Sequence, residues 1–213
     1  MPSRRSDSSK RSQILRAATD VFSAREFHTV PVEDVATAAG VGKGTLYLYF
    51  PTKEQLFYAT ILEALDVLLA ELEAAVAGRT GEEALRAFVR TFVAFFWSRR
   101  HLAVLMGRYE HKQREPEGES WRLRREKVVA LARTLLQSEA RAARLGAADA
   151  LHAAEMLLAL IRATVINQSE RGDPEKSVAF VIDLFLNGLR GVHPATARPT
   201  PRTPRRVAAG GRR

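Results

Sequence analysis

Residues 32–56 read VEDVATAAGVGKGTLYLYFPTKEQL, and this stretch decides the fold of the chain. Apolar residues recur at helical spacing on both sides of Gly40-Val41-Gly42, which predicts two short helices at about Val32–Ala39 and Lys43–Phe50. Gly40 stands directly after the first helix, where a left-handed C-cap is needed. Two short helices joined by such a turn are typical of a helix-turn-helix.

The second short helix presents side chains that suit contact with DNA. Lys43, Thr45 and Tyr47 are expected to point outward together with Leu48 or Tyr49. This mixture matches phosphates, thymine methyl groups and base edges. On spacing alone, the same pattern also fits a plain structural corner between two helices.

The residues around this corner form a dense motif. It runs through the segments Ile14-Leu15-x-Ala17-Ala18-x-x-Val21-Phe22, Val35-Ala36-x-Ala38-Ala39-Gly40-Val41, Lys43-Gly44-Thr45-Leu46-Tyr47-x-Tyr49-Phe50 and Lys53-Glu54-x-Leu56-Phe57. This motif resembles the DNA-binding domain of the TetR family of bacterial repressors, and the resemblance covers about 45 residues. The later helices match that family in number, length and polarity.

The resemblance implies a set of DNA-contacting residues on the second short helix and at the start of the next one. They are Lys43, Gly44, Thr45, Tyr47, Leu48, Tyr49 and Lys53. Gly44 would allow the helix backbone to approach the DNA, and Lys53 lies where helix-terminal amides and an ammonium could both meet a phosphate. The chain departs from the family pattern at Glu26, at Val30-Pro31 in place of two threonines, and at Gly42 in place of a serine. The phosphate contact usually attributed to those threonines is therefore not expected.

Apolar residues recur at helical spacing through almost the whole chain, which predicts an all-α protein of about nine helices. The remaining predicted helices lie at about Ser9–Arg25, from Thr52 to Val76, from Thr80 to Arg100, and at Leu102–Tyr109, Ser120–Arg144, Ala148–Glu170 and from Pro174 to just before Gly191. The expected organisation is a disordered basic arm (1–8), a three-helix DNA-binding domain (9–52), a helical effector-binding and dimerisation domain (53–192) and a disordered Pro/Arg-rich tail (193–213).

The net charge of +9 is concentrated at the two ends of the chain. Residues 1–13 carry four basic side chains and one acidic one, and residues 194–213 carry six arginines and no acid. The remainder has no net charge. Such arms can contact phosphate or simply keep a protein in solution, and the sequence supports both interpretations of the tail equally.

The composition argues against several classes of protein. The chain has no cysteine, which excludes disulfide scaffolds, iron–sulfur clusters and thiol catalysis and suits a reducing cytoplasm. The longest apolar runs, Phe92–Trp97 and Met156–Ile161, are far shorter than the roughly 20 residues of a bilayer span, so no membrane association is expected. No metal-ligand spacing, phosphate loop or nucleophile motif is found. We therefore expect a cytoplasmic protein without cofactor, metal or catalytic residues.

Two further sets of residues have expected roles in the second domain. The resemblance to the TetR family implies an effector pocket there, and Phe88, Phe92, Phe96, Met106 and Trp121 are expected as a group to line it, with core packing as the alternative for each of them. Leu158, Ile161, Val181, Phe185 and Leu189 follow i, i+3, i+4 spacing on the last two helices and are expected to form a homodimer interface. Packing on the same subunit is the alternative for a single apolar stripe.

Together these expectations describe a regulator of transcription. A homodimer would bind a palindromic double-stranded operator, and an unknown small-molecule effector would release it, most simply as a repressor. One alternative is a constitutive or architectural DNA-binding protein without effector, which a core without a cavity would favour. The other is a helical enzyme, but the sequence contains no motif that indicates one.

Overall fold

The computed structural model of the chain describes residues 4–109, 118–137, 147–167 and 172–191. In these ranges it contains helices and no strand, which confirms the predicted all-α fold. The helices are α1 (Arg4–Ala24), a short 3-10 helix (Phe27–Thr29), α2 (Val32–Ala38), α3 (Lys43–Tyr49), α4 (Lys53–Val76), α5 (Gly81–Trp97), α6 (Arg100–Tyr109), α7 (Glu119–Leu135), α8 (Ala147–Asn167) and α9 (Pro174–Gly191).

Helix α1 is longer than the sequence pattern predicted. It begins at Arg4 rather than Ser9, so residues 4–8, expected to be a disordered arm, are helical. The reason is local: neither glycine nor proline occurs between Pro2 and Pro31, so nothing in the sequence interrupts the helix near its start. The expected tail at 193–213 lies outside the described residues. Helix α7 was expected to run to Arg144 but ends at Leu135, with Leu136 as its C-cap, and residues 138–144 lie outside the described residues.

The turn between α2 and α3 depends on one glycine. Gly40 has φ 60°, in the left-handed region, and the Val41 amide donates to the Ala36 carbonyl at 2.9 Å to close the end of α2. The Gln13 side chain of α1 donates to the Ala39 carbonyl at 2.7 Å and so caps the same helix end from outside. The turn is thus fixed both by its own backbone and by α1.

Two groups of buried side chains hold the first three helices together. Leu46 of α3 is completely buried and belongs to the same hydrophobic core as Val35 and Ala36 of α2 and the apolar face of α1. The buried residues of that face are Ile14, Leu15, Ala18 and Phe22.

An aromatic cluster joins α4 to the short-helix unit, which is the group of helices α1, α2 and α3. Phe57 of α4 packs edge-on against Phe22 of α1, with ring centroids 5.1 Å apart, and lies 4.7 Å from the ring of Phe27. The start of α4 is fixed as well, because the Thr52 hydroxyl accepts from the Gln55 amide at 3.1 Å. Helix α4 therefore belongs to both parts of the molecule.

The second part is a helical bundle around α4 and α5. Helix α4 packs against α5 and α7, α5 packs against α8 and α9, and α7 packs against α8. Helix α6 contacts both α1 and α8, which gives the short-helix unit a second connection to the bundle. None of the described helices is both long enough and apolar enough to cross a membrane.

The left-handed conformation of Gly40 leads to a stability prediction. Gly40→Ala should lower the free energy of unfolding by roughly 1–2 kcal/mol, because an L-residue at this φ is strained. A new Cβ meets only the Gln13 side chain, at 3.9 Å, so backbone strain is the main term. Gly44→Ala is the matched control, because Gly44 lies inside helix α3 with nothing within 4 Å of a Cβ, and it should stabilise by roughly 0.5–1 kcal/mol. Equal effects of the two changes in urea unfolding would contradict this account of the turn.

Candidate nucleic-acid interface and internal cavity

Helix α3 has one buried face and one open face. Leu46 and the C-cap residue Phe50 are buried and anchor the helix on α1 and α2. On the opposite side, Leu48 is 84% exposed, an unusual position for a leucine, and Tyr47 is also exposed. An exposed apolar side chain beside a phenol is suited to the methyl groups and base edges of a DNA groove.

The seven residues expected to contact DNA do not all share this face equally. Lys43, Gly44, Tyr47 and Leu48 are exposed, whereas Thr45, Tyr49 and Lys53 are partly buried. Tyr49 packs against the hydrophobic core, which is the inward orientation that one of the two neighbouring aromatic residues has to take. Their roles in DNA contact stay predictions.

Lys53 is held in place at the start of α4. Its ammonium lies 4.4 Å from the centroid of the Phe27 ring, a cation–π distance. The side chain is thereby ordered beside the free amides of the helix N-terminus, and both groups favour an anion.

Arg11 is a second cation near the surface of α3. The sequence places it in the basic segment at the start of the chain. Its guanidinium lies over the ring of Phe50, 5.3 Å from the centroid, so α1 places a positive charge beside the end of α3. Only the contact between helices reveals this, since Arg11 and Phe50 are far apart in the sequence.

Lys43 is paired within the protein. Its ammonium forms a salt bridge with Glu33 in the first turn of α2, and both side chains are more than half exposed. This hydrogen bond lowers the pKa of the Glu33 carboxyl and raises the pKa of Lys43, so both groups are charged at neutral pH. A DNA phosphate would have to compete with Glu33 for Lys43.

The adjacent acid on α2 has a different partner. Asp34 accepts from Arg25 at 2.5 Å, and Arg25 also donates to the Thr29 carbonyl at 3.0 Å. This pair links the end of α1 to α2 without involving α3. The neighbouring carboxylates of Glu33 and Asp34 therefore pair with different cations, Lys43 and Arg25.

The departures from the family pattern have a structural explanation. Val30 is buried in the core, and Pro31 is the N-cap of α2 with no side chain to cap the helix. Neither residue offers a hydroxyl to a phosphate, as expected from the sequence. Gly42 likewise caps α3 without a side-chain hydrogen bond.

A cavity of about 540 Å³ lies inside the helical bundle. Four of the five residues expected to line an effector pocket are in its wall: Phe92, Phe96, Met106 and Trp121. Phe88 is not, and it packs behind the wall with its ring centroid 6.1 Å from that of Phe92. The volume is within the roughly 300–1,000 Å³ range of small-molecule sites.

Polar residues of the cavity were missed by the sequence analysis. Arg125 of α7 makes a two-point ion pair with Glu155 of α8, one of its contacts measuring 2.8 Å, and both side chains lie in the wall together with His152 and Arg162. Spacings of three and four residues could have placed Trp121 with Arg125 on one face of α7 and His152 with Glu155 on one face of α8. They could not have predicted that Arg125 pairs with Glu155, which lies 30 residues away in the chain.

The residues expected at a dimer interface are largely turned inward. Ile161 and Val181 are completely buried in the subunit, Leu158 is buried in the cavity wall and Phe185 is partly buried, while the side chain of Leu189 lies outside the described residues. The apolar stripe of each helix thus serves the subunit's own core. The exposed large apolar side chains on the described parts of these two helices are Phe180 (63% exposed) and Leu184 (50%) on α9 and Leu151 and Met156 on α8.

Comparison with known proteins relates this architecture to a family. The model of the family described as "Bacterial regulatory proteins, tetR family" matches residues 14–60, which span the second half of α1, the two short helices and the first turns of α4. Residues 14–60 therefore carry the TetR-family sequence pattern. The predicted family resemblance is thereby confirmed, and the matched segment includes the open face of α3.

Relatives and solved structures agree with this membership. The chain is 46% identical over 70 residues to the HTH-type transcriptional regulator RutR of Escherichia coli K12, a match covering 33% of each chain, so it spans about one third of that relative's length. It is 27% identical to the HTH-type transcriptional regulator EthR of Mycolicibacterium smegmatis over 90% of this chain and 91% of EthR. A TetR-like transcriptional regulator from Rhodococcus sp. RHA1 superimposes with TM-score 0.65 and 25% identity, covering 86% of this chain and 97% of that one.

RutR and EthR are named as transcriptional regulators, which agrees with the prediction of a regulator rather than an enzyme.

The Lys43–Glu33 pair leads to a prediction for DNA binding. Glu33→Gln should tighten binding of duplex DNA by about two- to fivefold, because Lys43 is released for a phosphate while an exposed ion pair contributes little to stability. Asp34→Asn removes the same charge one residue along and leaves Lys43 paired, so it should have a smaller effect. Binding is measured by fluorescence anisotropy at fixed salt.

A double-mutant cycle separates competition for Lys43 from general repulsion of DNA. In a Lys43→Gln background, Glu33→Gln should lose most of its effect. An equal gain in both backgrounds would mean that Glu33 acts by repelling the DNA rather than through Lys43.

Proposed function

We propose that the protein is a DNA-binding transcriptional regulator, a repressor that a small molecule releases from a palindromic operator. The observation that carries the proposal is the open face of α3, where Leu48, Tyr47 and Gly44 are exposed while Leu46 fixes the helix on its support. A helix fixed in this way can enter the major groove as a rigid body.

Cations around α3 support the DNA-binding part of the proposal. Lys53 and Arg11 are each ordered over an aromatic ring at the two ends of the short-helix unit, and Lys43 stands at the first turn of α3. Cations arranged beside a groove-reading helix position a protein on the phosphate backbone, while the side chains on the helix read the bases.

The effector part rests on the path of α4. Leu65 and Leu68 of α4 line the cavity, and Phe57 of the same helix packs in the aromatic cluster beneath α3. Leu65 lies about 12 Å along the helix axis from Phe57 at 1.5 Å per residue. A ligand that favours one position of α4 therefore changes the position of α3, and its difference in affinity for the two positions sets the response.

The same cavity weighs against the alternative of a constitutive or architectural DNA-binding protein. Such a protein needs no interior space, and closing a cavity generally stabilises a core. A lined volume of about 540 Å³ next to α4 is more consistent with ligand control.

We further propose a homodimer formed by α8 and α9 with their two-fold copies. Phe180 and Leu184 are four residues apart on α9 and form one exposed apolar strip, which a helix facing water would not need. A two-fold dimer places two copies of α3 in successive major grooves, about 34 Å apart.

The DNA-binding proposal predicts two kinds of mutational effect on a duplex selected from random sequence. Tyr47→Ala should weaken binding by about 1–3 kcal/mol and relax the sequence preference at one position. Lys53→Ala should weaken binding to all sequences and reduce the salt slope by about one. Lys127→Ala, which removes an exposed cation from α7, is the control and should change neither. Selection that yields no preferred sequence, or wild-type binding by both variants, would contradict the proposal.

The dimer proposal predicts a change of assembly. Leu184→Glu should dissociate the protein at low micromolar concentration, because a charge would replace a contact of the apolar strip. Leu123→Glu makes the same change at an exposed leucine of α7 and should leave assembly unchanged. Sedimentation velocity measures both, and a wild-type monomer that binds a full palindrome tightly would refute the proposal.

A further inference from the structure

The wall of the cavity has an apolar side and a polar side. The side chains from α4, α5 and α6 are all apolar, among them Leu68, Phe92 and Met106. Every charged side chain in the described wall comes from α7 or α8. Leu68 is buried, whereas the ion-paired side chains of Arg125 and Glu155 are partly exposed. The polar side is therefore the one nearer to solvent.

The cavity opens on this polar side, along α8. Met156 lines the cavity and is nevertheless 68% exposed, and His152 and Ala159, which also line it, are exposed as well. Side chains that line a cavity and also face solvent lie where the cavity opens. The mouth of the cavity is therefore bordered by these three residues of α8 and, across from them, by Arg125 of α7.

The mouth lies on the outer face of α8. The other sides of this helix are turned toward the subunit, because α8 packs against α5, α6, α7 and α9. Helical spacing adds the exposed Ala163 to the residues at the mouth, so the outer face consists of His152, Met156, Ala159 and Ala163. A helix that packs on α8 from outside the subunit has to use this face, and it thereby covers the mouth.

The outer face of α8 suits a second copy of the same chain. A two-fold axis sets like positions against each other, so a charged face would repel its own copy. The outer face has no acidic, lysine or arginine residue, whereas α7 exposes Glu126 and Lys127. Ala159 and Ala163 are small, which allows two helices to approach closely. The neighbouring helix α9 carries the exposed apolar strip already proposed for the dimer.

We propose that a second copy of this chain closes the cavity by packing its α8 across the mouth, so that the ligand site is complete only in the dimer. This rests on the homodimer of the proposed function and adds that the partner forms part of the ligand site. Met156 and Ala159 then contact both the ligand and the partner. Ligand binding and dimerisation are therefore coupled, and each strengthens the other.

The coupling is tested with N-phenyl-1-naphthylamine, an uncharged fluorophore whose emission rises in an apolar site. Sedimentation velocity gives the dimer dissociation constant, and the probe is titrated below and above it. The dimer should bind the probe about tenfold more tightly, which corresponds to roughly 50–60 Å² of apolar surface removed from water when the mouth closes. Saturating probe should lower the dimer dissociation constant about a hundredfold, because a dimer has two sites. Probe affinity independent of assembly, or no binding at all, would overturn the proposal.

Variants outside the cavity wall test the same coupling. Ala163→Glu places a charge on the outer face of α8, and Leu184→Glu places one on the apolar strip of α9. Neither residue lines the cavity, so both monomers should bind the probe about tenfold more weakly only because the partner is lost. Ala130→Glu makes the same change at an exposed alanine of α7 and should alter neither assembly nor probe affinity. Weaker binding by Ala163→Glu that is still a dimer would show a local effect and overturn the proposal.

Assembly and probe binding together separate this proposal from the proposed function. If the wild-type protein is a dimer and its monomeric variants bind the probe as tightly, the dimer stands and closure by the partner is refuted. If the wild-type protein is a monomer at low micromolar concentration, the proposed dimer is refuted and the closure with it.

Discussion

The packing of Phe57 against Phe22 and Phe27 is the contact on which the rest of the structure depends. It fixes α4 to the short-helix unit through three aromatic rings with centroids 4.7–5.8 Å apart. Because interiors are close-packed, α4 cannot shift without these rings shifting as well. The helix that closes the DNA-binding unit is also a wall of the cavity, so one rigid element serves both sites.

The charges of the α3 surface are restrained by the protein itself. Lys43 is paired with Glu33, while Lys53 and Arg11 lie over aromatic rings. A cation held by a ring keeps its full charge, whereas one held by a carboxylate is partly neutralised. In the proposed complex with DNA, pairing of Lys43 would reduce non-specific attraction to phosphate, and the exposed side chains of α3 would carry a larger share of recognition.

The sequence predicted what depends on local spacing and missed what depends on contacts between distant segments. Gly40, the anchor Leu46 and the helical class follow from local sequence patterns, and four of the five residues predicted to line a pocket, three aromatic residues and Met106, are in the cavity wall. Periodicity shows that α8 and α9 each have an apolar stripe, but it does not say what the stripe faces. Ile161 and Val181 face the subunit's own core, and the ion pair of Arg125 with Glu155 joins two helices that the sequence could not align.

The ion pair between Asp66 and Arg124 adds a step to the connection between cavity and α3. Arg124 of α7 contacts Asp66 of α4 at 2.9 Å, next to Arg125, which faces the cavity. Two consecutive arginines therefore tie α7 to α8 on one side and to α4 on the other. In the proposed regulator, we expect a ligand that competes for Arg125 to act on α7, and α7 to act on α4 through Asp66 as well as through direct packing. The polar side of the cavity, and not only its apolar wall, would then be connected to the proposed DNA-binding helices.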